Sequence, residues 1–381
     1  MVFSWKDIKN SLGKLKDLTS IGIANLSAMA ISSIFWLYMA SLIGEEGYGN
    51  ISYLLATGHI VGNIALLGSS DTLVVFRAKD VKIQSALFLC VIVAAVIASL
   101  VTYLFIESTA ISIFILGIVV FSLILYETLG SKNYKKYSYF IVSQRILTVF
   151  LALTLYFVIG IEGIVLGYAL AYLPYVFFSY RTFKDVPIDF QIVRIRLRFI
   201  VASYGKSLMA TFGSYLDKLI IFPLFGAALL GNYALGYQIF ALAAILPGIV
   251  FQYVLPQESS GKSHARLKRL TVISSAIITI ITFFLVPTIL PFLFPDFEES
   301  VDIIQIMSLA LVPSAISIMI ISNLLANEKI QKVVIGQAIG LIILIGGIFV
   351  LKENFGIIGA AIAFVMSNII AAVYYYIISK H

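Results

Sequence analysis

Long apolar runs follow one another along the whole chain, and this feature limits its possible folds more than any other. Of the 381 residues, 61% are hydrophobic and only 12% are charged, whereas a soluble domain has about 45–50% apolar and 25% charged residues. A hydrocarbon layer about 30 Å thick is crossed by a helix of roughly 20 apolar residues. The sequence therefore excludes a single water-soluble core and predicts a polytopic membrane protein.

Twelve of these runs are long enough to cross a bilayer. Helices are favoured over the strands of a barrel because the runs exceed the ~10 residues of a transmembrane strand, and because a helix satisfies its own backbone hydrogen bonds in lipid. We place the predicted spans at 19–43, 48–70, 83–106, 109–127, 138–160, 162–180, 199–225, 231–255, 268–290, 302–325, 331–351 and 354–379.

The distribution of basic residues predicts the orientation of the spans. Most of the 26 Lys and Arg residues lie in segment 1–18 and in every second loop, whereas the loops between them hold Lys352 and acids such as Glu45 and Asp296. Short cytoplasmic loops retain Lys and Arg, so both termini are predicted to be cytoplasmic. The formal charge of +7 thus follows from topology and does not indicate a nucleic-acid partner. The amino-terminal run lacks a convincing cleavage site and is interpreted as a retained first span.

A short motif between spans one and two recurs between spans seven and eight. Three residues of the first copy recur 182 positions later: Gly44, Gly49 and Asn50 correspond to Gly226, Gly231 and Asn232. Six spans separate the copies, and an even number predicts parallel repeats related by an axis along the membrane normal. The predicted fold is an all-α membrane protein of two pseudo-symmetric six-helix bundles: segment 1–18, a first lobe at 19–180, a cytoplasmic linker at 181–198 and a second lobe at 199–381.

Polar side chains share one helical face in four of the predicted spans. At 100° per residue the members of each set lie close to one line along the helix. An ionisable side chain within a membrane costs at least ~2.5–3.5 kcal/mol, so such faces predict a hydrated cavity. The sets are Asn25, Ser32 and Trp36; Ser52, His59, Asn63 and Ser70; Ser138, Arg145, Thr148, Ala152 and Tyr156; and Lys206, Ala210, Gly213 and Asp217.

For each ionisable residue in a span the sequence leaves two roles open. Arg145 and Lys206 either line the cavity or extend their long stems to the headgroups. His59 is either a neutral, hydrogen-bonded side chain or a protonation switch. Asp217 and Lys218 take part in ion coupling or form a structural ion pair. Three cations against Asp217 leave an excess of positive charge, which favours an anionic ligand.

No arrangement of residues in the sequence is typical of enzymatic chemistry. Three histidines at scattered positions and one cysteine give no evident metal site, and no nucleophile and base occur in a recognisable motif. We therefore expect no enzyme activity, no metal and no cofactor. Hydroxyl side chains such as Thr148 have an ordinary alternative role, a hydrogen bond to their own helix backbone.

The turn motif and its surroundings resemble a known family. Gly44, Tyr48 and Gly49 match the L-G-x-x-x-Y-G turn of the polysaccharide-transporter family, the Wzx-type flippases of O-antigen and other lipid-linked oligosaccharides, with Ile43 in place of the usual Leu. This family belongs to the multidrug/oligosaccharidyl-lipid/polysaccharide exporter superfamily. Further similarities are spread over both halves of the chain: Leu67, Gly68 and Arg77, then Asp217, Lys218, Gly226, Gly231 and Tyr233.

The resemblance implies a function. Members of the family export a polyprenyl-diphosphate-linked oligosaccharide across the cytoplasmic (inner) membrane by alternating access. Arg145 and Lys206 would then contact a diphosphate or acidic sugar, and His59 and Asp217, with Lys218, would serve proton or sodium coupling or an ion pair. Sugar contacts are expected from four further residues of the predicted cavity faces: Thr148, Tyr156, Trp36 and Asn63.

Other functions stay open at the level of sequence. A cation-coupled drug or metabolite antiporter of the same superfamily would need acidic cavity residues, and a peptidoglycan-precursor flippase would need about two more helices. A channel or a non-transporting membrane scaffold would have no use for a two-lobed repeat. The expected partners are the lipid-linked oligosaccharide, membrane lipids and a polysaccharide polymerase or glycosyltransferases.

Overall fold

The computed structural model describes residues 5–184, 186–259, 261 and 264–380, and its regular secondary structure in these ranges consists of helices joined by short turns and loops. Residues 1–4 of the predicted amino-terminal segment lie outside this description, as do the side chains of residues 5–20. The helices are α1 (Trp5–Ala65), α2 (Ser69–Arg77), α3 (Gln84–Ile106), α4 (Thr109–Gly130), α5 (Tyr134–Ile159), α6 (Ile161–Leu170), α7 (Leu173–Lys184), α8 (Phe190–Ile195), α9 (Leu197–Phe225), α10 (Ala227–Ala243), α11 (Ile245–Ser259), α12 (Ala265–Leu293), α13 (Ser300–Ser308), α14 (Leu311–Ala326) and α15 (Ile330–Ser379).

Many of these helices have the length and composition of membrane spans. Within the described residues, eight helical segments are long and apolar enough to cross a bilayer, and two bent pairs, α10 with α11 and α13 with α14, bring the total to as many as 10. Large apolar side chains such as Phe105 and Phe292 are 84% and 86% exposed. Such exposure would be unfavourable in water and is expected of a lipid-facing surface. The chain is therefore a multi-pass membrane protein.

The two longest helices are each interrupted by one glycine with a backbone that other residues rarely adopt. Segment Ile21–Ala65 has 45 residues, which at 1.5 Å per residue is about twice the thickness of the hydrocarbon layer. It changes direction at Gly44 (φ 67°, ψ 179°), and α15 changes direction at Gly356 (φ 55°, ψ −136°). Only glycine reaches such angles without strain.

The end of predicted span two differs from the observed helix. The span was expected to run to residue 70, but α1 ends at Ala65 and α2 starts anew at Ser69. Leu67 and Gly68 between them have positive φ values. A Cβ on Gly68 would lie 2.5 Å from the carbonyl oxygen of Ile200, so the close approach of α9 accounts for both the glycine and the break.

The chain divides into two compact units. The first comprises Met1–Ile34 and Gly58–Leu208, and the second comprises Phe35–Thr57 and Met209–His381. The core of the first unit is a cluster of buried side chains from the end of α1, from α2, α3 and α4, and from the start of α9. The predicted lobes at 19–180 and 199–381 were drawn on a different criterion, sequence symmetry, and stay a prediction.

The second unit contains both copies of the repeated turn, and they pack against each other reciprocally. A Cβ on Gly49 would overlap the carbonyl oxygen of Ala227, and a Cβ on Gly231 would overlap that of Glu45. Glu45 and Ala227 are themselves 182 positions apart, so the two contacts are equivalent under the repeat. Gly226 (φ 85°, ψ 178°) also has nearly the backbone angles of Gly44. These equivalences support an internal repeat of the kind that the sequence predicts.

Candidate functional site

Lys206 forms an ion pair with a carboxylate that the sequence did not single out. Its Nζ lies 2.7 Å from Oδ2 of Asp71, and the two side chains are 46% and 39% exposed. Asp71 lies in the first turn of α2, where the free backbone amides of a helix favour a negative charge. Lys206 therefore has a counter-ion within the first unit, but the pair remains accessible.

Asn63 lies beside the same part of α9. Its side-chain amide exchanges two hydrogen bonds with the hydroxyl of Ser207, at 3.0 and 3.1 Å. Ser207 thus engages both the donor and the acceptor of the Asn63 amide. Nearby, the Tyr204 hydroxyl donates a hydrogen bond to the carbonyl of Ile64. These bonds join the end of α1 to α9 within the first unit. The expected sugar contact of Asn63 stays a prediction.

Arg145 differs from the other two cations within the predicted spans. Its Nε is buried without a hydrogen-bond partner, and none of the ion pairs among the described residues includes its guanidinium. Its positive charge acts on the imidazole of His59, which packs edge-on against Phe114 at 5.4 Å between ring centroids. The first unit therefore places Arg145 and His59 near each other, and their roles in substrate binding and coupling stay predictions.

Two further residues predicted on the Arg145 face of α5 have different surroundings. Thr148 is 0% exposed, and its Oγ1 accepts a hydrogen bond of 2.8 Å from the Gln144 amide. In this packing Thr148 has a structural hydrogen bond, so its expected sugar contact is not accessible here. Tyr156 is half-buried, with its ring 5.4 Å from that of Phe157. Both sugar contacts stay predictions.

Asp217 and Lys218 form a buried cluster in the second unit. Their exposed fractions are 2% and 7%, and Nζ of Lys218 lies 3.2 Å from Oδ1 of Asp217. The hydroxyl of Tyr233 donates a hydrogen bond of 2.9 Å to the other carboxylate oxygen. Lys218 also donates to the Ser214 carbonyl at 3.1 Å, and its Nζ lies 4.1 Å from the centroid of the Tyr237 ring. The geometry is that of an ion pair whose polar atoms are largely satisfied.

Trp36 belongs to the second unit, whereas Asn63, Thr148 and Tyr156, the other expected sugar contacts, belong to the first. Its ring contacts Phe35 and Tyr48 at centroid distances of 5.2 and 5.7 Å, and it packs against a buried apolar cluster. The predicted polar face of span one is therefore divided, because Asn25 and Ser32 belong to the first unit. Stacking of Trp36 on a sugar stays a prediction.

The predicted face of span seven is divided as well. Lys206 belongs to the first unit, whereas Ala210 and Gly213 line a cavity of about 420 Å³ in the second unit and Asp217 lies buried. Other walls of this cavity come from α10, α14 and α15. Sequence analysis missed most of these residues, because neutral Ser, Asn and Gln side chains on apolar helices carry no distinctive signal.

Comparison with solved structures identifies the fold. The chain is similar to lipid II flippase MurJ in an inward closed conformation, with a TM-score of 0.73 and 16% identity over 95% of this chain and 87% of that one. It is also similar to an inward-facing multidrug resistance MATE family transporter of the MOP superfamily, with a TM-score of 0.71 and 13% identity over 93% and 94% of the two chains.

A third similar structure is a MOP superfamily transporter from Pyrococcus furiosus, described as having a binding pocket of reverse polarity. Its TM-score is 0.62 at 12% identity, over 96% of this chain and 95% of that one. No model of a protein family and no curated protein matches the sequence. At these identities the comparisons establish the fold, which this chain shares with MOP superfamily transporters and a lipid flippase.

Proposed function

We propose that the protein is a flippase that moves a polyprenyl-diphosphate-linked oligosaccharide across the cytoplasmic (inner) membrane by alternating access. The observation that supports this proposal most is the state of Arg145. Its Nε is buried without a hydrogen-bond partner, and no carboxylate among the described residues neutralises it. Arg145 is half-buried, and a cation that is partly removed from water is unfavourable unless something pairs with it. An anionic substrate group would supply the missing partner.

The other charges of the predicted spans support the same conclusion. Lys218 is paired with Asp217, and Lys206 with Asp71. Of these three cations, Arg145 is thus the one that has no carboxylate partner among the described residues. Its guanidinium is also the side-chain group best suited to bind a diphosphate. A guanidinium donates two parallel hydrogen bonds to phosphate oxygens. It would offset part of the desolvation of the phosphate, which is of order 20 kcal/mol for an isolated ion by an idealised Born estimate.

Lys206 would act as a second, exchangeable contact. Its pair with Asp71 is about half exposed, and pairs of that kind contribute only about 0–1 kcal/mol. A diphosphate with two formal charges competes easily with one carboxylate for such a lysine. Asp71 would then hold Lys206 in place between transport cycles, and the substrate would displace it.

The proposed topology has twelve crossings in two six-helix lobes with cytoplasmic termini. Eight helical segments among the described residues qualify as spans, and two bent helix pairs add one crossing each. Two of the eight segments, Ile21–Ala65 and Ile330–Ser379, are long enough to cross twice, which brings the total to twelve. The breaks at Gly44 and Gly356 divide the long segments near their middle. The reciprocal packing of the two repeated turns supports the pseudo-symmetry.

The main alternative is a cation-coupled multidrug or metabolite antiporter, because the fold is shared with a MATE transporter. An organic cation requires an accessible acidic group. In the described spans Asp217 is occupied by Lys218 and Tyr233, and Asp71 and Glu127 are paired with basic residues. These pairings favour an anionic substrate. The pocket described as reverse polarity in the Pyrococcus furiosus transporter shows that one fold accommodates pockets of different charge.

The remaining parts of the proposal concern coupling and partners. Proton or sodium coupling is assigned to His59, beside Arg145, or to Asp217, where an entering cation would have to displace Lys218. The expected partners are membrane lipids and the polymerase or glycosyltransferases that use or make the lipid-linked glycan.

Complementation of a deletion strain tests the proposal. Cells that carry Arg145→Ala should lose surface glycan and accumulate lipid-linked sugar on the cytoplasmic leaflet, whereas Arg181→Ala should export normally. Arg181 is an exposed arginine at the end of α7 and controls for loss of charge alone. If deletion changes drug sensitivity and leaves the glycan unchanged, the antiporter function is correct instead.

A further inference from the structure

The cavity of the second unit has a lining of unusual composition for the interior of a membrane protein. Its volume is about 420 Å³, within the range of about 300–1,000 Å³ that is typical of small-molecule sites. No charged side chain is among the described residues that line it. Its polar groups are neutral hydroxyls and amides: Ser214, Tyr237, Ser317, Gln337, Ser367, Asn368 and Tyr375.

One of these polar groups lacks a partner. Ser317 is 9% exposed, and its buried Oγ makes no hydrogen bond with the described residues. Leaving such a group unsatisfied costs about 1–3 kcal/mol. Gln337, on α15, is exposed, and none of the hydrogen bonds among the described residues involves its amide. The cavity wall therefore contains one exposed amide, that of Gln337, and one buried hydroxyl, that of Ser317, for which the described residues supply no partner.

An aromatic wall completes the cavity. Phe364 contacts Phe240 and Tyr237 at centroid distances of 4.9 and 5.9 Å, in both cases edge to face. The Lys218 ammonium lies 4.1 Å from the centroid of the Tyr237 ring, which holds that ring in position. Because Asp217 neutralises Lys218, the wall presents no net charge to the cavity.

We propose that this cavity binds an uncharged sugar residue of the transported glycan, through its amides and hydroxyls on one side and its aromatic rings on the other. The proposal rests on the proposed flippase function and adds a second contact, separate from the diphosphate contact at Arg145. An organic cation would find no acidic group in the lining. An acyl chain would leave Ser317 and the Gln337 amide without partners. A sugar has hydroxyls for these groups and C–H faces for the rings.

Gly213 allows the cavity to be filled without disturbing the packing around it. A Cβ at Gly213 would have no heavy atom within 4 Å, and the residue lies inside α9, so the side chain of Gly213→Leu would enter the cavity. Gly346→Leu is the matched control, since Gly346 is also helical, exposed and free of neighbours within 4 Å but does not line the cavity.

Saturation-transfer NMR on the purified full chain in nanodiscs tests the proposal, with lactose and di-N-acetylchitobiose as probes. At least one of these sugars should receive saturation from the wild type and from Gly346→Leu, and Gly213→Leu should reduce the affinity by about tenfold or more. Ser317→Ala should weaken binding by a smaller factor. All variants are first compared with the wild type by thermal unfolding, and Ser317→Ala serves as the test if Gly213→Leu is unstable.

Two results would overturn the proposal. The first is that neither sugar receives saturation from the wild type, or that the wild type, Gly213→Leu and Ser317→Ala saturate the sugars equally. The second is that tetraphenylphosphonium, an organic cation, receives saturation from the wild type and the sugars do not, and that Gly213→Leu abolishes the tetraphenylphosphonium signal. Arg145→Ala separates this proposal from the flippase function, because it should slow movement of the lipid diphosphate and leave the binding of free sugar unchanged.

Discussion

The two copies of the repeated turn cross so closely that a single methyl group should destabilise the second unit. We expect Gly231→Ala to have this effect, because its Cβ would overlap the backbone carbonyl oxygen of Glu45. Gly49→Ala should act in the same way, since its Cβ would overlap the carbonyl oxygen of Ala227 and lie 2.8 Å from the nitrogen of Gly231. In both cases the obstacle is backbone, so no flexible side chain can turn away.

The size of the effect follows from two opposing terms. Forcing a methyl group into a well-packed site typically lowers stability by about 1–3 kcal/mol. Replacing glycine by alanine inside a helix raises stability by about 1 kcal/mol, because alanine has the higher helix propensity. An overlap with rigid backbone belongs at the upper end of the first range, so each single variant should lose about 1–2 kcal/mol. The double variant should lose less than the sum of the two, because the separation that accommodates one methyl group also accommodates the other.

Thermal unfolding of the purified protein in detergent measures these differences. Gly346→Ala is the control, because its Cβ would meet no heavy atom, and it should be as stable as the wild type or slightly more stable. The reasoning is refuted if Gly231→Ala unfolds at or above the wild-type temperature, or if the effects of Gly49→Ala and Gly231→Ala are strictly additive.

Three further predictions concern the buried and half-buried polar pairs. Asp217→Asn leaves Lys218 buried without a counter-ion and should lower the free energy of unfolding by about 3–5 kcal/mol. Adding Lys218→Met should restore much of the thermal stability. If the double variant is no more stable than Asp217→Asn, the pairing is contradicted. Asp71→Ala should change stability by less than about 1 kcal/mol but should lower the apparent KM for the lipid diphosphate, because it removes a competitor for Lys206; an unchanged KM would argue against exchange. Replacing Gln144 by Leu should destabilise the protein by about 1–3 kcal/mol in thermal unfolding, through the lost hydrogen bond to Thr148, and a neutral result would contradict that bond.

The helical architecture was largely predictable because hydrophobicity in a membrane protein is read over some 20 residues at a time. Predicted spans 83–106 and 109–127, for example, correspond to α3 (Gln84–Ile106) and α4 (Thr109–Gly130). The interruptions were harder to predict. The break at Leu67 and Gly68 depends on a contact with α9, more than 100 positions away in the sequence, and no local pattern encodes it.

The candidate site was predictable only in part. The rule that an ionisable residue in a membrane needs a partner drew attention to Arg145, Lys206 and Asp217, whose functional roles stay predictions. It could not supply the partners, because Asp71 lies one residue beyond the predicted span and Tyr233 was noted as part of a turn motif. The charge excess counted from sequence is smaller in the structure, since Asp71 takes up Lys206.

The central claim is that Arg145 binds the anionic group of a lipid-linked substrate. The most direct measurement is the rate at which purified protein in proteoliposomes moves a fluorescent polyprenyl-diphosphate disaccharide between leaflets, followed by a membrane-impermeant quencher. A lost hydrogen bond to a charged group is worth about 1.5–3 kcal/mol, so Arg145→Ala should slow the movement by roughly tenfold to a hundredfold. Arg145→Lys should retain part of the rate, and Arg181→Ala all of it. Wild-type rates in Arg145→Ala would contradict the claim.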